Sequence, residues 1–293
     1  MIKDTNTNLR GILLMIASMA SFSGADTLVK LSTLSMSPAQ VMLFLFGGGL
    51  IIFALMAILQ GNTLLDPRAF SPILLLRYAA EIAGMVGMVM ALAKVPISSV
   101  GAITQASPML AAVGAFLFLG EKVGWRRWCS IVVGFIGVLL IVQPGAIEFD
   151  YAVFWAVLAM VALSVRDLTT RMVPSDMPSF SLATYTMIAS VPFAVGWVFF
   201  NGESLIPAHI NWLVVIPMIV LGSAGYLLLI ASLRMAEVSV VMPFRYLRII
   251  FLLVLGVLVF AERPNKMMLF GAGLIILSGT YMMWREQRVK SNP

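Results

Sequence analysis

The hydrophobic residues of this chain form long runs, separated by short clusters of charged residues, proline and glycine. Most runs approach the roughly 20 residues that an α-helix needs to cross a bilayer. Proline, glycine and charge clusters mark the boundaries. The pattern predicts ten membrane spans, at Leu9–Leu31, Pro38–Leu59, Ile73–Ala93, Ser98–Leu119, Trp125–Val142, Tyr151–Val173, Ser181–Phe200, Leu213–Met235, Val238–Phe260 and Lys266–Trp284.

The spans are predicted to be helices because runs such as Ile131–Val142 do not alternate apolar and polar residues, as the strands of a membrane barrel do. The chain is 61% hydrophobic and 11% charged, with a mean hydropathy of +1.01, whereas soluble domains are about 45–50% apolar and about 25% charged. These features predict an all-α polytopic membrane protein. The first run has a second interpretation, as a signal peptide, because Lys3 and Arg10 precede it and Ser23-Gly24-Ala25 resembles a cleavage site.

The basic residues between the spans predict the orientation of the chain. Lys and Arg concentrate on the cytoplasmic side of bacterial-type inner membranes. With a cytoplasmic N-terminus, eleven Lys and Arg side chains fall on the inner side and only Lys94, Arg263 and Lys266 fall on the outer side. Both termini are therefore expected in the cytoplasm. The same bias explains the sequence pI of about 9.7 without a nucleic-acid partner.

Two charged landmarks recur at one spacing along the chain. Asp26 with Lys30 and Asp167 with Arg171 are acid–base pairs four residues apart, and 141 residues separate the two pairs. Glu121 and Glu262 are separated by the same step. Because five spans is an odd number, a second copy must enter the membrane upside down relative to the first. The spacing predicts two inverted five-helix repeats, at residues 9–142 and 151–284.

The stretch 91–142 resembles an EamA domain of the drug/metabolite transporter superfamily. The resemblance rests on the small-residue turn Ser98-Ser99, on Pro108, on Leu119-Gly120-Glu121-Lys122 and on the Gly134-x-x-Gly137 helix; residues 238–281 resemble a second copy. It implies ten helices, two inverted repeats, cytoplasmic termini and export or uptake of small metabolites. The layout is similar to that of an amino-acid exporter of this superfamily. The family's corner glutamates correspond here to Glu121 and Glu262, for which a structural role is favoured.

Ionisable side chains within the predicted spans mark the candidate translocation path. Each costs about 2.5–3.5 kcal/mol if it faces lipid. The predicted set is Asp26, Lys30, Arg77, Glu81, Arg166, Asp167, Arg171, Arg245 and Arg248. Six cations against three acids predict an anionic or zwitterionic solute, because the planar guanidinium grips a carboxylate at two points.

Within this set, three pairs are spaced i,i+4: Asp26/Lys30, Arg77/Glu81 and Asp167/Arg171. Either the members of each pair neutralise each other and only hold helices together, or they line the translocation path. Arg245 and Arg248 lie on one helix face with no acid nearby in sequence, so at least one of them is expected to lack a fixed carboxylate partner. Asp26 and Glu81 are candidate carriers of a coupling proton.

Polar and aromatic residues beside these charges complete the predicted site. Tyr78 and Tyr246 flank arginines, where packing competes with a role in stacking on a ring. Pro108 and Pro243 are predicted to interrupt helices at roughly matching positions of the two repeats. Gln105 lies near the first interruption. Its amide has two possible roles, as a substrate ligand or as a contact between helices.

The chain has one cysteine, one histidine, and no nucleotide-binding or nucleophile motif, so no enzyme activity, cofactor or metal is expected. Two transport hypotheses stay open. The first is export of amino acids or other carboxylates. The second is import or exchange of a bulkier nucleotide-like or S-adenosyl metabolite. A channel or membrane enzyme is the third and weakest reading.

Overall fold

The computed structural model describes residues 5–62, 66–120, 124–143, 150–174, 176–236 and 241–291. Within these ranges the chain is helical and contains no strand. The α-helices are α1 Thr5–Ser32, α2 Pro38–Leu59, α3 Pro72–Lys94, α4 Ile97–Thr104, α5 Ser107–Leu119, α6 Trp125–Val142, α7 Val153–Arg171, α8 Ser179–Phe200, α9 Trp212–Met235, α10 Leu247–Phe260 and α11 Lys266–Ser291. Short 3₁₀ helices at Pro67–Phe70 and Met242–Tyr246 precede α3 and α10.

The described helices account for ten membrane segments. Eight stretches are long and apolar enough to span, with α4 and α5 together forming one of them, Ile97–Phe118. Trp128–Val142 and Lys266–Tyr281 are shorter apolar helices. The predicted bounds of Pro38–Leu59 and Trp125–Val142 match those of α2 and α6. The prediction of an all-α polytopic protein with ten spans is confirmed.

Helix ends follow local sequence signals. Ser37 begins α2 with a capping box, in which its hydroxyl accepts from the Gln40 backbone N–H and the Gln40 side chain accepts from the Ser37 N–H. Asp66 accepts from the Arg68 N–H at the start of the first 3₁₀ turn. Gly120 ends α5 in the left-handed region, at φ 66°, which glycine adopts without a steric penalty.

The helices of the two halves interlock. The most extensive packing joins α1 to α9, α3 to α7, α2 to α8 and α6 to α11, and α4 lies against α10. Each pair takes one helix from each half. Exchanging the halves converts the α1–α9 pair into the α7–α3 pair and leaves the other three pairs unchanged. This is the pairing of two inverted five-helix repeats related by a pseudo-two-fold axis.

The α6–α11 contact shows this relation at the level of atoms. A Cβ on Gly137 would stand 2.7 Å from the carbonyl oxygen of Gly271, and a Cβ on Gly271 would stand 2.6 Å from the carbonyl oxygen of Gly137. Each glycine therefore admits the backbone of the other helix. Gly137 belongs to the Gly134-x-x-Gly137 sequence, whose small residues are thus used for close helix packing.

Two helices are interrupted at the level of the central charges. The fourth span breaks at Gln105-Ala106, between α4 and α5, and Pro108 lies in the first turn of α5. The ninth span begins with the 3₁₀ turn that contains Pro243 and continues as α10. Both prolines occupy first-turn positions, where a missing N–H costs little, so each marks where a helix restarts.

Candidate functional site

The two helix breaks meet in the middle of the molecule. The Gln105 side chain, in the break between α4 and α5, donates from Nε2 to the backbone carbonyl of Arg245 at 2.7 Å. Arg245 lies in the 3₁₀ turn ahead of α10. Gln105 therefore holds the backbone of the second break in place. Of its two predicted roles, the one seen here is the helix–helix contact.

Arg245 is partly buried at this junction. Within the described residues, its guanidinium makes no hydrogen bond and no ion pair closer than 4 Å. Asp167, Arg166 and Arg248 lie within its electrostatic reach. The sequence predicted that at least one of Arg245 and Arg248 lacks a fixed carboxylate partner, and Arg245 has this property.

Arg248 has an acid partner that the sequence did not predict. Its Nη2 and Nε donate to Asp26 Oδ2 of α1 at 2.5 and 3.2 Å, and its guanidinium stacks 5.4 Å from the centre of the Phe22 ring. Of the two arginines without an acid nearby in sequence, Arg248 is therefore the one that has a fixed carboxylate partner. The two partners are 222 residues apart, so local sequence carries no sign of the pair.

Lys30 does not pair with Asp26, contrary to the i,i+4 prediction. Its Nζ donates to the backbone carbonyls of Leu92 and Val95 at 3.0 and 2.6 Å and lies 5.3 Å from the centre of the Phe260 ring. These carbonyls belong to the last turn of α3, which has unsatisfied acceptors and the negative end of the helix dipole. Lys30 is thus a helix cap.

Glu81, Arg166 and Asp167 form a chain of alternating charge between α3 and α7. Arg166 donates to Asp167 Oδ1 at 2.7 and 3.0 Å, whereas Arg166 Nη1 lies 3.5 Å from both oxygens of Glu81. The Arg166, Asp167 and Glu81 side chains are 25%, 24% and 12% exposed. They are therefore partly accessible to solvent.

Arg77 does not pair with Glu81, the second i,i+4 prediction that the structure contradicts. Its Nε and Nη1 donate to the hydroxyls of Thr170 on α7 and Thr186 on α8, at 2.9 and 2.5 Å. Each hydroxyl donates onward to a carbonyl of its own helix, which leaves its lone pairs for the guanidinium. Arg77 joins three helices. The third predicted pair, Asp167 with Arg171, is not described, because the Arg171 side chain lies outside the described residues.

Tyr78 and Tyr246 lie in packed surroundings. Tyr78 is buried among Leu74, Met177, Leu182 and Tyr185, near the Arg77 end of α3. The Tyr246 ring lies against α11, where a Cβ on Gly279 would overlap it. Neither hydroxyl has a hydrogen-bond partner among the described residues. The packing interpretation fits both positions better than stacking on a solute.

The corner glutamate of the second repeat caps a helix of the first. Glu262 accepts from the N–H groups of Ile97 and Ser98, at 2.6 and 3.2 Å, and from the Ser98 hydroxyl at 2.6 Å. These are the unsatisfied donors at the start of α4. These contacts agree with the structural role that the sequence analysis favoured for Glu262. Glu121 lies outside the described residues.

The sequence missed Thr170, Thr186 and Tyr226. Tyr226 of α9 is within electrostatic reach of Arg77, Glu81 and Arg166, and its ring packs edge-on against Phe53 at 5.1 Å. Hydroxyl residues are common in membrane helices, so the threonines gave no signal. Tyr226 gave a weak one, as an aromatic residue with a polar tip in the middle of an apolar span. Among the described residues, no cluster of three or more His, Cys, Asp or Glu side chains is placed to hold a metal.

Interlocked inverted repeats with two broken helices and ionisable side chains between them are the architecture of many secondary transporters. The model of the EamA-like transporter family matches residues 9–143 and 150–284. The chain therefore belongs to this family, within the drug/metabolite transporter superfamily.

Similar proteins carry several kinds of solute. An S-adenosylmethionine uptake transporter of Rickettsia felis is 28% identical over 97% of this chain and 96% of its own. A riboflavin transporter of Vibrio cholerae is 29% identical over 66% of this chain and 65% of its own. A pseudopaline exporter of Pseudomonas aeruginosa is 26% identical over 92% and 94%. A crystal structure at 16% identity covers 97% of this chain and 99% of its own with a TM-score of 0.62, which is a likeness of fold.

Proposed function

We propose that this protein carries a carboxylate-bearing organic solute across the membrane by alternating access, with Arg245 as the anchor for the carboxylate. The first candidate solute is S-adenosylmethionine, taken up or exchanged. The observation that carries the proposal is the Arg245 guanidinium, which is partly buried at the meeting point of two broken helices and makes no ion pair or hydrogen bond within the described residues.

An unpaired guanidinium in the middle of a membrane protein is costly. A carboxylate that enters the central space removes this cost by forming a charge-assisted, two-point contact. If the contact forms better in one state of the carrier than in another, it shifts the population between them. Among the described residues, Lys30 and Arg248 are held by carbonyls and by Asp26, whereas Arg245 has free donors.

The candidate solute follows from chemistry and from the relatives together. S-adenosylmethionine carries an α-amino-acid end, whose carboxylate suits Arg245, and it agrees with the name of a relative aligned over nearly the whole chain. Riboflavin is uncharged at neutral pH and would leave the arginine unpaired. Export of amino acids or other carboxylates uses the same anchor, so a transport assay must decide between these solutes.

We also propose the orientation and the limits of the two halves. The excess of Lys and Arg on one side supports cytoplasmic termini in a bacterial-type inner membrane. Residues 9–142 and 151–284 are proposed as the first and second repeat. With this orientation Arg77, six residues into α3, lies nearer the cytoplasm, and Lys30 lies at the outer end of α1.

The test is uptake by the full chain in liposomes preloaded with unlabelled solute. Wild-type protein, Arg245→Gln and the exposed-charge control Arg10→Gln are compared with labelled S-adenosylmethionine, methionine and riboflavin. We expect wild-type and control proteins to accumulate a carboxylate solute. Accumulation by Arg245→Gln should be lower by at least about tenfold, which corresponds to about 1.4 kcal/mol. The melting temperature should stay within a few degrees.

Two results would overturn the proposal. One is carboxylate transport that is unchanged in Arg245→Gln. The other is transport of riboflavin alone. Transport of methionine with no transport of S-adenosylmethionine would retain the anchor and replace the candidate solute.

A further inference from the structure

Glu81 is the acid of the central region that is held most loosely within the described residues. Its contacts are the two 3.5 Å approaches of Arg166 Nη1, at the outer limit of a hydrogen bond. Arg166 directs its short bonds to Asp167. By contrast, Asp26 is bonded to Arg248 at 2.5 Å. The oxygens of Glu81 are thus available to a stronger cationic partner.

The obvious internal cation for Glu81 is already engaged. Arg77 lies four residues earlier on α3, but it donates to Thr170 and Thr186 on other helices. Arg166 can lose Glu81 without moving, because Asp167 retains its guanidinium. Glu81 can therefore exchange partners at low cost, and its side chain is 12% exposed, so a ligand in the central space can reach it.

An aromatic pair has one ring within electrostatic reach of this carboxylate. Tyr226 is within electrostatic reach of Glu81, and Phe53 meets its ring at 5.1 Å with an interplanar angle of 66°. Tyr226 belongs to α9, which packs on α1, and Glu81 belongs to α3, which packs on α7. These are corresponding helices of the two repeats, so Glu81 and Tyr226 approach from opposite halves, whereas Phe53, on α2, belongs to the same half as Glu81.

We propose that Glu81, with Tyr226 and its ring partner Phe53, binds the sulfonium of the transported solute. A carboxylate beside aromatic rings is the chemistry that recognises such cations. Arg245 takes the carboxylate at the other end, so the site selects dipolar solutes. This inference rests on the proposed function, because it assigns the second pole of the same site.

The test uses two ligands that differ by one methyl group and its charge. S-adenosylmethionine carries a sulfonium, and S-adenosylhomocysteine carries a neutral thioether in its place. Binding of each to the purified full chain is measured for wild type, Glu81→Gln and the matched control Glu203→Gln in the loop between α8 and α9. We expect wild type and control to favour the sulfonium about tenfold, and Glu81→Gln to lose this preference while binding S-adenosylhomocysteine within about twofold of wild type.

A second pair of variants protects the test against a folding defect. Tyr226→Phe keeps the ring and should keep the preference for the sulfonium. Tyr226→Leu removes the ring and should lower this preference several-fold, with S-adenosylhomocysteine binding unchanged. An equal loss for both ligands in Glu81→Gln, or an unchanged preference in Glu81→Gln and Tyr226→Leu, would overturn the assignment.

The outcomes also separate this inference from the proposed function. If S-adenosylhomocysteine binds through Arg245 but Glu81→Gln leaves the preference intact, the carboxylate anchor stands and the sulfonium site fails. If Arg245→Gln leaves the binding of both ligands unchanged, the assignment of Arg245 as the carboxylate anchor is wrong, whatever the effect of Glu81→Gln. If wild-type protein binds neither ligand, both the candidate solute and the sulfonium site are overturned.

Discussion

The two helix breaks occupy corresponding places in the two repeats but differ in their chemistry. Along the 141-residue step, Thr104 and Ser107 of the first break correspond to Arg245 and Arg248 of the second. The first break is neutral and internally satisfied: the Thr104 hydroxyl donates to the Val100 carbonyl at 2.8 Å, and the Ser164 hydroxyl donates to the Ser107 carbonyl at 3.0 Å. The second break holds two cations.

This difference assigns a structural role to the first break and, under the proposed function, solute binding to the second. The first break supplies an amide, Gln105, that fixes the backbone of the second. The second break supplies one arginine that is paired with Asp26 and one that is left for a ligand. We propose that the side chains at the two breaks decide which half binds the solute.

The largest effect on stability should come from breaking the pair of Asp26 and Arg248. Removing one partner of a buried ion pair leaves the other uncompensated, at a cost of about 3 kcal/mol. We expect Asp26→Asn and Arg248→Gln each to lower the melting temperature in detergent clearly. The double variant should recover part of the loss, because it leaves no unpaired charge. Additive losses in the double variant would contradict a direct pair.

Removing the cap that Glu262 of the second repeat places on α4 of the first should have the next largest effect on stability. Glu262→Ala removes three hydrogen bonds to the start of α4, and bonds to a charged group contribute about 2 kcal/mol. Glu262→Gln keeps one acceptor oxygen and should lose less. Thermal unfolding of the two variants checks the order. Equal stability of Glu262→Ala and wild type would remove the cap from the account.

Replacing Gln105, the amide of the first break, should have a smaller effect on stability and a clear effect on transport. Gln105→Leu loses one hydrogen bond, about 1 kcal/mol, and frees the backbone of Arg245. Gln105→Glu should be worse, because its carboxylate not only fails to donate to the Arg245 carbonyl but also repels it as a second acceptor. Transport rate per folded molecule, measured beside the melting temperature, tests this order. Full transport by Gln105→Leu would show that the two breaks work independently.

The smallest effect should come from the exposed ion pairs that join the loops at one end of the molecule. Arg68 donates to Asp66 and to Asp176, at 2.7 and 2.6 Å, and holds the pKa of both carboxyls below the usual 3.8. A lowered pKa stabilises the folded state above pH 3.8, and this stabilisation is lost as the pH falls through the folded-state value. The difference in melting temperature between wild type and Asp176→Asn should therefore be constant from pH 7 to 5. It should vanish in molar salt. A difference that changes between pH 7 and 5 would implicate another group.

The fold could be predicted from the sequence because hydrophobic length and the 141-residue step are properties of the chain alone. The bounds of α2 and α6 follow from the turn residues around them, and Pro108 and Pro243 marked both breaks. The partners of the charges could not be predicted in this way. The i,i+4 spacing suggests pairs within one helix, Asp26 with Lys30 and Arg77 with Glu81, as on a helix in water. Inside the bundle, other helices offer closer partners, such as Arg248 for Asp26, the α3 carbonyls for Lys30 and two threonines for Arg77.

The prediction of an unpaired arginine survived because it rested on the lack of acids, not on a choice among them. Six cations and three acids cannot all pair. Which arginine of the second break remains free depends on tertiary contacts, and among the described residues it is Arg245, not Arg248. Tyr226 was missed for the same reason, since only the packing of the two repeats brings it within electrostatic reach of Glu81.

The most direct test of the central claim is a binding cycle between Arg245 and the solute carboxylate. Binding of S-adenosylmethionine and of its decarboxylated analogue is measured on wild type and on Arg245→Gln. The account predicts that wild type prefers the carboxylate form by at least about tenfold and that Arg245→Gln binds the two forms with nearly equal affinity. A preference that persists undiminished in Arg245→Gln would contradict the assignment of Arg245 as the carboxylate anchor.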